Sequence, residues 1–265
     1  MEQATTDLPF RERTPNRVLA RALDRHVAEV RAWPAAPPAT ARYVERLPDG
    51  TATLVFRAAP LGSSGTLTAV GAVSRATYKE ARGELRVVTV DFRLGGAFPF
   101  LGVPMHSLTD RMVPLEELWG AEAHRLLERL LSCRDDAQSV AIMEQALAAR
   151  LERAAHLELR SAVSVLKAVR RLVSQRQTVD VAGLATGVGL SQRQLRRLFA
   201  TAVGVGPKEF LRMLRFNRAI RCLAMPGGQL AIEAGYYDQA HLISEFQRLA
   251  RMTPRDFANR RRAEI

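Results

Sequence analysis

A chain of 265 residues with 47% hydrophobic and 25% charged side chains has globular composition and room for two domains of common size. No apolar run approaches the ~18 residues of a membrane-spanning helix, the N-terminus lacks the order of a secretory signal, and Cys133 and Cys222 stand isolated, without the partners of a disulfide framework or a paired-cysteine zinc site. The net charge of +12 sits almost wholly at one end: residues 161–265 carry 18 Lys+Arg against 7 Asp+Glu, a net of +11, whereas residues 1–160 carry 21 against 20, a net of +1. A polycationic half points to a polyanion, because phosphate neutralisation supplies most of non-specific nucleic-acid affinity. Of the 39 basic residues only Lys79, Lys167 and Lys208 are lysines, and arginine's planar fork suits phosphates and guanine edges. A cytoplasmic location is expected, and no cofactor is.

Thr14 as a cap, Pro15 in the first turn, and Leu19, Leu23, His26 and Val27 at helical spacing predict an opening helix. Pro34, Pro37 and Pro38 break the chain, and Leu47-Pro48-Asp49-Gly50 is turn chemistry leading into a strand from Thr51 to Phe56. Further strands are predicted over Leu67 to Val73 and Leu85 to Phe92. Gly95-Gly96 and Gly102-Val103-Pro104 mark loops, after which Leu115 to Leu131 and Asp136 to Ala155 show helical periodicity. Glu116-Glu117 and Asp135-Asp136 read as charges at helix starts, not as acid/base dyads. His106, with Phe98 and Phe100, is a candidate for lining an effector pocket, although a packed or exposed histidine is the commoner outcome. Residues 1–156 are therefore expected to form an α+β domain, a small antiparallel β sheet or barrel-like unit followed by helices.

From about Glu158 onward the pattern is helical throughout. Ser161 to Arg176 is amphipathic, with Val165, Leu166, Val169, Leu172 and Val173 on one side. A short helix with Val181, Leu184 and Ala185 then precedes Gly187-Val188-Gly189-Leu190 and Ser191, the N-cap of a second helix. In that helix Leu195, Leu198, Phe199 and Ala202 share one face, while Arg193, Arg196 and Arg197 project within about 100° of one another on the other. Helix, tight turn and helix with a core side and a cationic side match a helix-turn-helix, whose second helix presents its N-terminal residues to base edges in the major groove. After a proline-initiated helix from Pro207 to about Ala224 the unit recurs: Leu230, Ala231 and Ile232, the turn Gly235-Tyr236-Tyr237, the cap Asp238, and the core positions Leu242, Phe246 and Leu249. Ser191 pairs with Asp238, Leu195 with Leu242 and Phe199 with Phe246.

Glu158 to about Arg260 resembles the AraC/XylS family of bacterial transcription regulators. The resemblance is carried by Gly235-Tyr236-Tyr237-Asp238-Gln239-Ala240-His241-Leu242, by Phe246, Arg248, Leu249, Met252-Thr253-Pro254 and Phe257, and by Gly204-Val205-Gly206-Pro207 with Phe210-Leu211. It implies an all-α domain over 157–265 with helix-turn-helix units at about 178–202 and 228–252, joined by a linking helix. The first 160 residues resemble, more loosely, the domain of unassigned function that precedes this module in one branch of the family, through Leu47-Pro48-Asp49-Gly50, Phe92-Arg93, Gly95-Gly96, Leu101-Gly102-Val103-Pro104 and Val113-Pro114-Leu115. By analogy with other members such a domain senses a small molecule, mediates dimerisation, or both. Double-stranded DNA is the expected partner, with RNA polymerase, a small-molecule effector and a second copy of the chain as further candidates, and no membrane.

The candidate DNA-contacting residues are Ser191, Gln192, Arg193, Arg196 and Arg197 in the first unit, Lys208 and Arg212 on the linking helix, and Gln239, His241, Ser244 and Arg248 in the second. Arg215 and Arg251 are further backbone candidates. Arg193 and Arg197 correspond to Ala240 and Ser244, so the first unit is expected to read sequence and the second mainly to anchor. Gly227 and Gly228 are expected to weaken the first turn of the helix they open. Two rival functions are an alkyl-transfer repair enzyme, which needs a reactive cysteine, and an architectural DNA binder without sequence preference.

Overall fold

The computed structural model describes residues 23, 26–33, 42–59, 64–81, 86–133, 135–153, 157–174 and 179–263. Strands come first: β1 (Val27–Trp33), β2 (Arg42–Arg46), β3 (Thr53–Ala58), β4 (Gly65–Val70), β5 (Thr77–Ala81) and β6 (Arg86–Phe92). A short helix α1 (Phe98–Leu101) and a 3-10 turn (Met105–Ser107) precede β7 (Met112–Pro114). Helices follow: α2 (Leu115–Trp119), α3 (Ala121–Leu131), α4 (Asp136–Arg153), α5 (Leu157–Ser174), α6 (Val181–Gly187), α7 (Gln192–Ala202), α8 (Pro207–Arg221), α9 (Gly227–Ala234), α10 (Gln239–Ala250) and α11 (Pro254–Ala263).

Antiparallel pairing builds a five-stranded sheet in the order β1-β6-β3-β4-β7, and β2 pairs with β5 as a separate ribbon. In β6 the residues Val88, Val90 and Phe92 are buried while Val87, Thr89 and Asp91 are half-covered, the period-two pattern of a sheet with one face on a core. That face meets Leu126 and Leu130 of α3 and Met143 and Leu147 of α4. The N-terminal part is therefore an antiparallel sheet followed by helices, as the composition of its segments suggested.

The opening helix needs correction at its far end. Val27 begins β1 instead of closing a helical face, and Val27 and Val30 are both buried because a β-bulge between Val27 and Glu29 resets the alternation. A bulged strand thus mimics helical spacing. Thr14, Pro15, Leu19, Pro34, Pro37 and Pro38 lie outside the described residues. The run from Leu115 to Leu131 is two helices, broken at Gly120 (φ 57°, ψ −136°), a conformation that glycine adopts without a Cβ clash. Strands β1, β2, β5 and β7 carried no readable signal. The ribbon strands Arg42–Arg46 and Thr77–Ala81 are short and mostly polar, and β7 is a three-residue edge strand that can end in Pro114. Asp135 caps the next helix through Gln138 N at 2.7 Å, and Glu116 and Glu117 stand in the first turn of α2, as helix-start charges should.

The ribbon is fastened to the sheet by Arg46. Its guanidinium donates to Thr53 Oγ1 at 2.8 Å, Thr51 O at 3.2 Å and Gly71 O at 3.1 Å. Burial lowers its pKa from the ordinary value, and the nearby Asp49 and Asp91 carboxylates oppose that shift. A buried charge is tolerated only when so satisfied.

The helical part has two cores, one for each half. Leu184, Leu195 and Phe199 sit in one with Phe210 of α8; Leu230, Leu242 and Phe246 sit in the other with Phe216 of the same helix and Phe257 of α11. Residues of the first part enter both, Ala72 and Leu94 into the former, and Leu47 and Tyr78 against the latter.

Candidate nucleic-acid interface

The first unit consists of α6, a turn and α7. Asp180 caps α6 by accepting from Gly183 N at 2.7 Å. Ser191 begins α7 with a capping box: its Oγ accepts from Gln194 N at 3.2 Å, and the Gln194 side chain accepts from Ser191 N at 2.9 Å. Such reciprocal satisfaction of orphan amides fixes where the helix starts. Leu195, Phe199 and Ala202 then face inward, and Gln192, Arg193, Arg196 and Arg197 are all exposed on the opposite side. Arg196 donates a hydrogen bond to Gln192 Oε1 at 3.3 Å, one helical turn away. Three guanidiniums thus stand at the N-terminal half of a helix whose axis begins at a defined cap.

The second unit, α9, turn and α10, repeats the plan with Asp238 accepting from His241 N at 2.7 Å. Each first helix ends the same way. Gly189 N donates to Thr186 O and Leu190 N to Ala185 O, both at 3.0 Å; Gly235 N donates to Ile232 O at 3.0 Å and Tyr236 N to Ala231 O at 2.8 Å. Gly189 and Gly235 take left-handed φ values of 70° and 83°, which a Cβ would strain. These glycines are 46 positions apart, yet the caps Ser191 and Asp238 are 47 apart. The second turn therefore holds one additional residue, Tyr237, and its side chain is 90% exposed. The change of offset between the two repeats was the sequence signal for it.

Gln239, His241, Ser244 and Arg248 are exposed along α10, with Ala240 in the place of Arg193. His241 stands edge-on to Tyr236 at 5.3 Å. Tyr236 itself is core: burial, and after it the Glu245 charge, raises its phenol pKa above the ordinary value. A Cβ on Gly227 would meet only the flexible end of the exposed Gln239 side chain, 2.6 Å from its Nε2, so packing does not require glycine there. Lys208 is exposed in the first turn of α8. Arg212 has its charge met within the protein, by Glu209 at 2.7 Å and by Glu245 at 2.8 Å, with Arg248 4.0 Å from Glu209. Arg215 lies over the Tyr236 ring at 5.9 Å, and Arg251 ends α10 in the left-handed region at φ 61°. His106 is exposed beside Ala200 O, whereas Phe100 is fully buried. Cys133 is 6% exposed with its thiol donating to Arg129 O, a packed side chain and not an accessible nucleophile.

A helix-turn-helix domain model matches residues 184–260, covering most of both capped units and the helix between them. The C-terminal part of the chain carries an AraC-type helix-turn-helix domain. A model of a domain of unknown function, DUF6597, matches residues 11–114. Comparison with curated proteins finds no match. Among solved structures, ToxT from Vibrio cholerae is similar at 10% identity and a TM-score of 0.41, over 86% of this chain and 97% of that one. An unsaturated fatty acid-bound ToxT from the same organism is similar at 12% identity and a TM-score of 0.39, over 86% and 90%. The helix-turn-helix domain marks the chain as a DNA-binding transcription regulator. Among the described residues no helix is long and apolar enough to cross a membrane.

Proposed function

We propose that this DNA-binding regulator recognises double-stranded DNA in a sequence-specific manner, with α7 reading bases and α10 mainly anchoring. The observation that carries the reading is the inequality of two otherwise matching helices. Gln192, Arg193, Arg196 and Arg197 are exposed on α7, where α10 offers Gln239, Ala240, Ile243 and Ser244. Arginine pairs bidentately with guanine and glutamine with adenine, so α7 has the chemistry for direct readout. In the second unit Tyr237, His241 and Arg248 suit phosphate contacts, a tyrosine hydroxyl being a common donor to the backbone. Lys208 adds a charge from the linking helix. Arg212 serves as a strut between Glu209 and Glu245.

The proposed division is residues 1–156 as an effector-sensing and dimerisation domain and residues 157–265 as the DNA-binding domain. Control by a small molecule is supported by the contacts of the first part with both helix-turn-helix cores, which give an effector a route to the DNA-facing helices. RNA polymerase is the proposed partner at promoters, and the cytoplasm the proposed location. Sedimentation of the full chain tests the dimer.

Selection of bound fragments from genomic DNA, followed by footprinting, tests the central reading. A recurring sequence under the protected region supports it, and protection without one favours an architectural binder. Affinity is expected to fall steeply between about 50 and 200 mM salt, by about a thousandfold if six phosphates are contacted. A flat dependence rules out the groove-and-backbone arrangement.

A further inference from the structure

We infer that the first part of the chain is a splint that sets the relative placement of the two recognition helices, with Asp110 as its positioning residue. This rests on the DNA-binding reading above. The C-terminal ends of α7 and α10, remote from the DNA-facing N-terminal turns, both abut hydrogen-bonding groups from residues 76–109. At the first helix, His106 Nδ1 lies 3.3 Å from Ala200 O, and Thr109 Oγ1 donates to Gly204 O at 2.8 Å. At the second, Ala76 N donates to Leu249 O at 2.6 Å and Tyr78 OH to Ala250 O at 3.3 Å. A helix end exposes carbonyls with negative partial charge, so donors supplied there fix its position as well as satisfy it.

The two gripping segments are themselves tied together at Asp110. Its amide donates to Ala72 O at 2.9 Å, and its Oδ1 accepts from Ser74 N at 2.6 Å, while Gly71 N donates to Arg111 O at 3.1 Å. Asp110 holds φ 58°, one of two described non-glycine residues in the left-handed region, where a side chain is kept only if its surroundings compensate. A continuous path therefore runs from Gly204 through Thr109, Asp110 and Ser74 to Ala76 and Leu249. The linking helix is also held by the first part of the chain, through Asn217 Nδ2, which donates to Pro48 O at 2.7 Å. The recognition faces stay open throughout, so the splint orients the helices without covering them.

Hydroxyl-radical footprinting of the full chain on a duplex enriched from random sequence tests this. The wild type should protect two sharp backbone tracts, spaced by about one helical turn. Asp110→Gly accepts the left-handed backbone but lacks the carboxylate. It should leave the first tract sharp, blur the second and weaken binding about three- to tenfold. Asp110→Asn, which keeps an acceptor and tolerates this backbone, should restore the second tract. If Asp110→Gly is too unstable to bind, Tyr78→Phe combined with Thr109→Val removes one hydroxyl at each helix end at nearly constant volume and should blur the second tract alike. Two tracts as sharp as in the wild type, in either variant, overturn the splint. A wild type without any enriched sequence overturns the proposed function instead.

Discussion

Gly95 offers a quantitative check on how the two parts of the chain meet. It has φ +70°, and a Cβ placed on it would lie 2.1 Å from Leu166 Cδ1 of α5. Leu166 is 1% exposed, inside the cluster that also holds Ala72 and Leu94, so it has no free volume into which to swing. Gly95→Ala therefore adds a left-handed backbone penalty of about 1–2 kcal/mol. Overpacking adds about 1–3 kcal/mol more, for a total destabilisation of about 2–5 kcal/mol. Leu166→Ala alone should cost about 2–5 kcal/mol through its cavity. In the double variant the new methyl enters that cavity, so the overpacking disappears while the backbone penalty and most of the cost of the lost leucine persist. Its destabilisation should fall short of the sum of the singles by about 1–3 kcal/mol. Urea unfolding of the full chain, followed by far-ultraviolet circular dichroism and tryptophan fluorescence, measures each corner of the cycle. Additivity within about 0.5 kcal/mol would refute the packing of α5 against the Gly95 turn.

Other expectations concern the caps, the readers and one ion pair. Ser191→Ala removes the capping box and should cost about 1 kcal/mol of stability in the same unfolding assay. Arg197→Ala should cost about 1–3 kcal/mol of binding and relax preference at one position of the selected site, whereas Ser244→Ala leaves selectivity unchanged. Equal losses of selectivity, read by competition binding, would contradict the asymmetry of the two units. Glu122 is partly buried, which raises its pKa, but hydrogen bonds from Arg153 and Arg150 outweigh this and hold it below the ordinary 4.5. Its stabilisation is accordingly complete above that value and lost as pH falls through the lower folded pKa. Unfolding midpoints measured from about pH 6 to pH 3 should drop more for the wild type than for Glu122→Gln.

The helical part was largely legible in the sequence because its signals are local. Ser191 and Asp238 as caps, the glycines at the turns and Leu195, Phe199, Leu242 and Phe246 at helical spacing each need only a few neighbouring residues to be recognised. In the first part, β3, β4 and β6 announced themselves by alternation, but β1 hid behind its bulge and the ribbon strands behind their charges. Where the candidate contacts sit along α7 and α10 also followed from spacing. That Arg212 is already paired with Glu209 and Glu245 did not, since Glu245 lies thirty-three positions away and meets it only through tertiary packing. The Asp110 bridge was equally hidden, because its partners are backbone groups and any residue carries those.

The buried Glu245 occupies the place that Leu198 has in the first unit, and there it meets Arg212. Tandem repeats this alike run a risk as the chain collapses, since either second helix could dock onto the wrong half of α8. Seating α7 in the site of α10 would set a leucine against Arg212 and leave it Glu209 as its remaining partner, a penalty of about 1–3 kcal/mol for the lost charged hydrogen bond. The Glu245–Arg212 pair thus favours each second helix in its own half.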